Sequence, residues 1–333
     1  MAIRTILADP MLRLLVAAVV LAAVLPIPAE QSDAAQGLAN IGIFLLFLLN
    51  GMRVSRSEIG RGLLNWRFIL PMVLWVFGAM ALAGLGLSKL LAFGLPSLVA
   101  VGFLYLGVLP STVQSATSYT TLANGNVGLS VISAALLNIL GVFVSVPIFL
   151  LLGGTGEGGV GMETIERIAL ILLLPFVIGQ LVQGWTKDWV VRNKQRVVWL
   201  DRLVIALAVY VAFSGAVEQG IWSTLDPAAW GMLGLGIAVF LALGNGGAWL
   251  ASGALGLPRR DRIAFLFAGA QKSAAVGVPL ATILFAREEA GFIVLPLLLY
   301  HFFQLVLAAP LASRLASPPH GDADGYSAPT TRS

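Results

Sequence analysis

The chain has 333 residues, of which 58% are hydrophobic and 11% charged, with a mean hydropathy of +0.92. That balance excludes a soluble domain, and apolar runs of about 20 residues recurring along the chain predict a polytopic helical membrane protein. There is no cysteine, which excludes disulfides, a thiol nucleophile and cysteine metal sites; the basic residues behind the pI near 9.7 lie in short loops and form no nucleic-acid-binding tract.

Ten spans are predicted in chain order. After a cytoplasmic N-terminus over 1–10, the first half (11–153) holds spans at about 11–28, 37–53, 66–91, 96–123 and 127–152. The fourth is interrupted near Pro110. A Gly-rich extracytoplasmic loop over 154–164 follows. The second half (165–315) holds spans at about 165–186, 197–217, 229–255, 258–286 and 290–315. The polar tail over 316–333, with Pro318 and Pro319, is expected to be disordered and cytoplasmic. Residues 1–28 also carry features of a signal peptide, with Arg4 and Arg13 flanking the apolar Leu14–Leu25, but the repeat described next requires them as a permanent span.

With the N-terminus inside, the outside loops hold only Lys89, Arg167 and Arg287, and every other loop Lys or Arg falls inside. That asymmetry predicts both termini in the cytoplasm of a cell whose inner (plasma) membrane holds the protein. The halves also repeat. Gly94–Ser111 resembles Gly256–Ser273, pairing Pro96 with Pro258, Pro110 with Lys272 and Ser111 with Ser273 at an offset of 162. Gly51 pairs with Gly215 at 164, and Asn138 with His301 and Pro147 with Pro310 at 163. Five spans per half is an odd number, so the second half enters the membrane from the opposite side. The predicted fold is all-α, with ten transmembrane helices in two inverted five-helix repeats, an arrangement common in secondary transporters.

In such folds the matched, interrupted helices of the two halves build the site near the midplane. Here those are the fourth and ninth spans. The ninth carries Phe267–Leu280, reading FAGAQKSAAVGVPL, with Lys272 the one basic residue near the middle of any span. A charge at the bilayer centre costs about 2.5–3.5 kcal/mol or more, so it marks a functional candidate. A snorkelling lysine is the alternative, but Lys272 lies about a dozen residues from either end. In the fourth span, Leu109–Thr121 reads LPSTVQSATSYTT. The candidates there are Ser111, Thr112, Gln114, Ser115 and Thr117; the alternative for such hydroxyls is bonding to their own helix carbonyls. Gln271 and Ser273 flank Lys272. Asn138 and His301 occupy matched positions, Gln304 lies about one turn beyond His301, and each of these can instead be a buried polar residue satisfied by a neighbouring helix.

All sixteen Asp and Glu lie in loops, span ends or the tail, so a midplane cation site would lack a carboxylate. The midplane charge therefore either attracts an anionic group or is an ammonium in a cation's place. HExxH, GxSxG and paired carboxylates are absent from the spans, which argues against an enzyme.

The residues NGMRVS (50–55), LPSTVQS (109–115), GNVGLSV (125–131) with Pro147, and AGAQKSAAVGVP (268–279) resemble the bile acid:sodium symporter family, in its SBF-like branch, over about residues 11–315. The resemblance implies a panel domain (spans one, two, six and seven) and a core domain (the rest) in which the two broken helices cross. It also implies a sodium ligand at Gln271, with Ser130 and Ser115 as further candidate ligands. The pattern departs elsewhere. Phe267 stands where sodium-coupled members have a glutamate, Lys272 where they have an asparagine, and Ala134 where they have a second helix-five hydroxyl.

The expectation is a secondary active transporter that moves a small organic anion by alternating access. The ammonium of Lys272 would replace one sodium, leaving coupling to protons, to one weaker sodium site, or to nothing. No cofactor is expected, and the partners are the anion and the bilayer. The alternative is a non-transporting or ion-homeostasis regulatory membrane protein on the same fold.

Overall fold

The computed structural model describes residues 9–53, 60, 64–153 and 166–316. The Gly-rich loop and all of the polar tail except Ala316 lie outside these residues, as do Val54 and Ser55 of the NGMRVS motif. Among the described residues every regular element is helical, and eight helices are long and apolar enough to cross a membrane. A bent pair adds a ninth if it is taken as one span.

The first helix, α1 (Pro10–Val24), opens on Asp9, whose carboxylate accepts from the N–H groups of Met11 and Leu12 at 2.7 and 3.3 Å. It has 15 residues, fewer than the expected 11–28, because Pro26 disfavours helical backbone at Leu25. Then come α2 (Ala29–Arg53) and α3 (Trp66–Leu91). The bent pair is α4 (Ser97–Val108) and α5 (Val113–Leu122), which meet at 63°. Next are α6 (Val127–Leu151), α7 (Glu166–Arg192), α8 (Lys194–Glu218) and the short α9 (Ile221–Thr224). The chain continues through α10 (Pro227–Ala254), then α11 (Arg259–Ala270) and α12 (Ala274–Leu284), which are separated by a non-helical Gln271–Ser273, and ends on α13 (Arg287–Ala316).

The α11–α12 stretch is the centre of the molecule. Its apolar window is 94% buried, against 33–61% for the other long helices, so protein surrounds it where lipid would surround a peripheral span. It packs against α10, α5, α6, α8 and α13. Helix α3 approaches α4 closely through Gly84 and Gly107: a Cβ on Gly107 would stand 2.7 Å from the Met80 carbonyl oxygen.

Within α3, residues Leu74–Ala79 form a π-turn. There the Met80 N–H bonds to the Trp75 carbonyl, five residues back, and not to Val76 as an α-helix would have it. The Val76 carbonyl thereby loses its usual donor.

The two ends of the helix assembly differ. At the end carrying Arg53, Asp201 and Ser313, a cavity opens. At the other end, Arg287 at the start of α13 bonds to Glu218 of α8 at 3.0 Å and to the Ile27 carbonyl at 3.0 Å. Gly215 lies directly against the Arg287 backbone, so close that a Cβ has no room.

Candidate functional site

The non-helical residues of the two broken helices touch. The Ser273 N–H donates to the Pro110 carbonyl at 2.9 Å, Thr112 Oγ1 donates to the Lys272 carbonyl at 3.0 Å, and Ser115 Oγ bonds to Gln271 Oε1. Both segments turn extended at the helix ends, at Leu109 and Gln271, so their backbone polar groups are open to partners outside their own helices.

Lys272 is wholly buried. Its Nζ donates to the carbonyls of Gly107 and Leu109 at 2.8 Å each and to that of Val76 at 3.3 Å. An ammonium has three N–H donors, and three acceptors receive them. Two of those carbonyls belong to the C-terminal end of α4, the negative pole of a helix, and the third is the one displaced by the π-turn. Among the described residues the ion pairs are Arg53–Asp201 and Arg287–Glu218, and neither involves Lys272. The charge is therefore held by carbonyl dipoles alone, as a bare cation would be.

Side chains from α6 and α13 brace the breaks. Asn138 Nδ2 donates to the Ser111 carbonyl at 2.7 Å, and Ser145 Oγ to the Val108 carbonyl at 2.8 Å. Pro110 rests on Gly141, where a Cβ would stand 2.6 Å from the ring. On the other side, Tyr300 donates to the Ala270 carbonyl at 2.6 Å. Gln304 takes the Lys272 N–H at 2.8 Å and donates to the Lys272 carbonyl at 3.0 Å.

The cavity above the breaks has a volume of about 840 Å³, within the usual range for small-molecule sites. Along α13 its lining extends from His301 to Ser313, about 18 Å at 1.5 Å per residue, so it reaches deep into the assembly. Its inner end holds Thr112 and Ser273, the N-caps of α5 and α12, with Val113 and Ala274, the first residues of those helices. Helix starts present N–H groups and partial positive charge, which favours an anionic ligand. Its rim carries Asn50, Arg202 and the Arg53–Asp201 pair, bonded at 2.6 Å. Arg202 stacks over Trp199 at 5.3 Å.

The candidates divide accordingly. Thr112, Gln114, Ser115, Ser273 and His301 line the cavity; Lys272, Gln271, Ser111, Thr117 and Asn138 do not. Gln271 Nε2, Ser111 Oγ and Thr117 Oγ1 are buried without a hydrogen-bond partner. Ser130 pairs with Thr120 Oγ1 at 3.1 Å, whereas Ser115 pairs with Gln271. No group of three or more His, Asp or Glu side chains suited to a metal ion occurs among the described residues. Sequence reasoning missed the ammonium's acceptors, because carbonyls carry no residue signature, and also the charged rim, whose residues read as ordinary inside-loop charges.

A model of the SBF-like CPA transporter family matches residues 9–317. An uncharacterized protein of Pseudomonas aeruginosa is 41% identical over 305 residues, 91% of each chain. The Escherichia coli (strain K12) protein named "Putative symporter YfeH" is 36% identical over 310 residues, 92% of each chain. Sodium/bile acid cotransporter 7 of Rattus norvegicus is 24% identical over 295 residues, 83% of this chain and 82% of that one.

Proposed function

The chain belongs to the SBF-like CPA transporter family, as a transporter of the bile acid:sodium symporter kind and not an enzyme, and from that premise we propose that it carries an organic anion without binding sodium at the site that Lys272 fills. The observation that carries this reading is the ammonium of Lys272 on the Gly107, Leu109 and Val76 carbonyls. A mobile cation could in principle neutralise such oxygens. Here the nitrogen that carries the charge is covalently part of the chain and cannot leave with the cargo.

The Lys272 ammonium also does not touch the cavity, so its influence on an anion there is through the field of the broken helices and not through contact. The anion's direct partners are the starts of α5 and α12, with Thr112, Ser115, Ser273 and His301 around them. Ten spans in two inverted repeats, the first of them the short α1, fit this role, with α1, α2, α7 and α8 as the panel and the remaining long helices as the core. The cavity lies between these two groups and opens at the end rich in basic loops, the cytoplasmic side of an inner membrane. Alternating access then requires the Arg287–Glu218 contact at the opposite end to open as the cavity closes.

The test is thermal unfolding of the purified protein against sodium and against a panel of carboxylates, at constant ionic strength. Stabilisation by at least one carboxylate and none by sodium is expected. Sodium stabilisation of the native protein would refute the fixed-cation reading, and a lack of response to every carboxylate would refute the anion cavity.

A further inference from the structure

Gln304 touches both the broken helix and the cavity lining. Its amide oxygen accepts from the Lys272 N–H at 2.8 Å. A backbone N–H can only donate, so that contact fixes which end of the amide is oxygen. The amide nitrogen then faces the Lys272 carbonyl at 3.0 Å and His301 Nδ1 at 2.8 Å, one for each of its two hydrogens. Turning the amide over would set nitrogen against the Lys272 N–H and oxygen against its carbonyl, losing both bonds.

The consequence falls on His301, three residues earlier on the same face of α13. Its Nδ1 receives a hydrogen from Gln304, so Nδ1 is the acceptor and the ring proton of the neutral imidazole resides on Nε2. The opposite tautomer fits less well. An Nδ1–H would confront the Gln304 amide hydrogens, and the nearby Lys272 carbonyl, 3.5 Å away, already accepts from Thr112 and Gln304. His301 lines the cavity, as do Ala274 and Ala275 at the start of α12, and Nε2 has no hydrogen-bond partner among the described residues.

We propose that Gln304 is the positioning residue that ties the broken helix to the cargo: it clamps the Lys272 backbone at both polar groups and locks His301 as the Nε2–H tautomer, whose one donor faces a carboxylate oxygen in the cavity. Movement of the Lys272 segment during transport shifts Gln304, and with it the donor that holds the anion. This inference rests on the cavity being the cargo site.

His301 and His320 are the only histidines in the chain, so ¹⁵N-histidine NMR of the full-length protein in nanodiscs, in a His320→Ala background, reads one imidazole. The expected spectrum is a single neutral tautomer, with Nε2 protonated and Nδ1 bare. In Gln304→Glu, which keeps an acceptor for the Lys272 N–H but offers His301 no donor, the ring proton should move to Nδ1. In Gln304→Met both tautomers should appear. Size-exclusion profiles establish that the variants are folded, and the Glu variant retains the Lys272 N–H contact should the Met variant fail. An Nδ1–H tautomer in the starting protein, or one unchanged in a folded Gln304→Glu variant, would overturn the lock.

Benzoate is the anion probe, with benzamide as its neutral counterpart. Benzoate should move the Nε2 signal and benzamide should not, and Gln304→Glu should weaken the benzoate midpoint about tenfold, as the loss of one hydrogen bond to a charged group implies. A locked tautomer that ignores benzoate would overturn the assignment of the donor to cargo. Failure of the transport reading shows separately, as no carboxylate uptake by proteoliposomes in which the locked tautomer and its benzoate response persist.

Discussion

The two helix breaks are satisfied in opposite ways. The α4–α5 break bends by 63°, and α5 leaves Gln114 and Ser118 exposed. It supplies carbonyls: those of Gly107 and Leu109 go to an ammonium, that of Pro110 to a backbone N–H, and those of Val108 and Ser111 to side chains of α6. The α11–α12 break lies inside the most buried stretch of the chain and supplies the ammonium. Pro110 at the first break lacks a backbone donor, whereas Lys272 at the second offers three donors from its ammonium. The difference shows how an unpaired charge persists in the interior. A break creates acceptors that have no helical partner, and a lysine from the facing break meets that need without a carboxylate.

The strongest way to break this comparison is Lys272→Met, which keeps the length of the side chain and removes the charge. With three buried carbonyls left without their donor, we expect a loss of about 3 kcal/mol in thermal or denaturant unfolding, the scale of breaking a buried charged network. Lys272→Arg should not restore it, because a planar guanidinium does not fit a pocket shaped for one tetrahedral nitrogen. An unfolding midpoint unchanged in Lys272→Met would mean that the carbonyls find water or other donors.

Gly141→Val comes next. It drives a branched side chain into the space held by the Pro110 ring and should cost about 2 kcal/mol through overpacking, with no change at the second break. Asn138→Leu removes the donor to the Ser111 carbonyl and should cost about 2 kcal/mol as well, while Tyr300→Phe does the same to the Ala270 carbonyl for about 1 kcal/mol. Equal losses in that last pair would say that the two breaks are braced alike, which would weaken the contrast. Ser115→Ala should likewise cost about 1 kcal/mol, because it severs one link between the breaks and leaves Gln271 Oε1 without its partner. Its effect should appear more in carboxylate binding than in unfolding, because Ser115 lines the cavity.

Much of the fold was legible because lipid imposes simple rules. Spans follow from apolar length, and the helix starts followed Asp9–Pro10, Asn126 and Asp226–Pro227, where a side-chain acceptor, twice with a following proline, caps the first turn. The first span was read four residues too long because apolar character continues past Val24 to Ile27, while Pro26 ends the helix. The polar breaks were visible as Pro110 with its hydroxyl run and as Lys272 among glycines. Where the lysine points was not visible. Its acceptors are backbone atoms of α3 and α4, one of them exposed by a π-turn within LWVFGA, a stretch with no polar residue to betray it. Gln304 could be placed on the face of His301 by spacing, but its amide orientation depends on the Lys272 N–H, a contact that only the folded chain creates.

The most direct test of the central claim is the sodium dependence of unfolding in Lys272→Asn beside the native protein, with choline replacing sodium at constant ionic strength. Asparagine removes the built-in charge and leaves the Gly107, Leu109 and Val76 carbonyls open to an added cation. The account predicts that the native protein is indifferent to sodium, and that Lys272→Asn unfolds at a lower temperature in choline and recovers part of the loss in sodium. Sodium stabilisation of the native protein, or a variant as indifferent to sodium as its parent, would contradict the claim that the lysine stands in a cation's place.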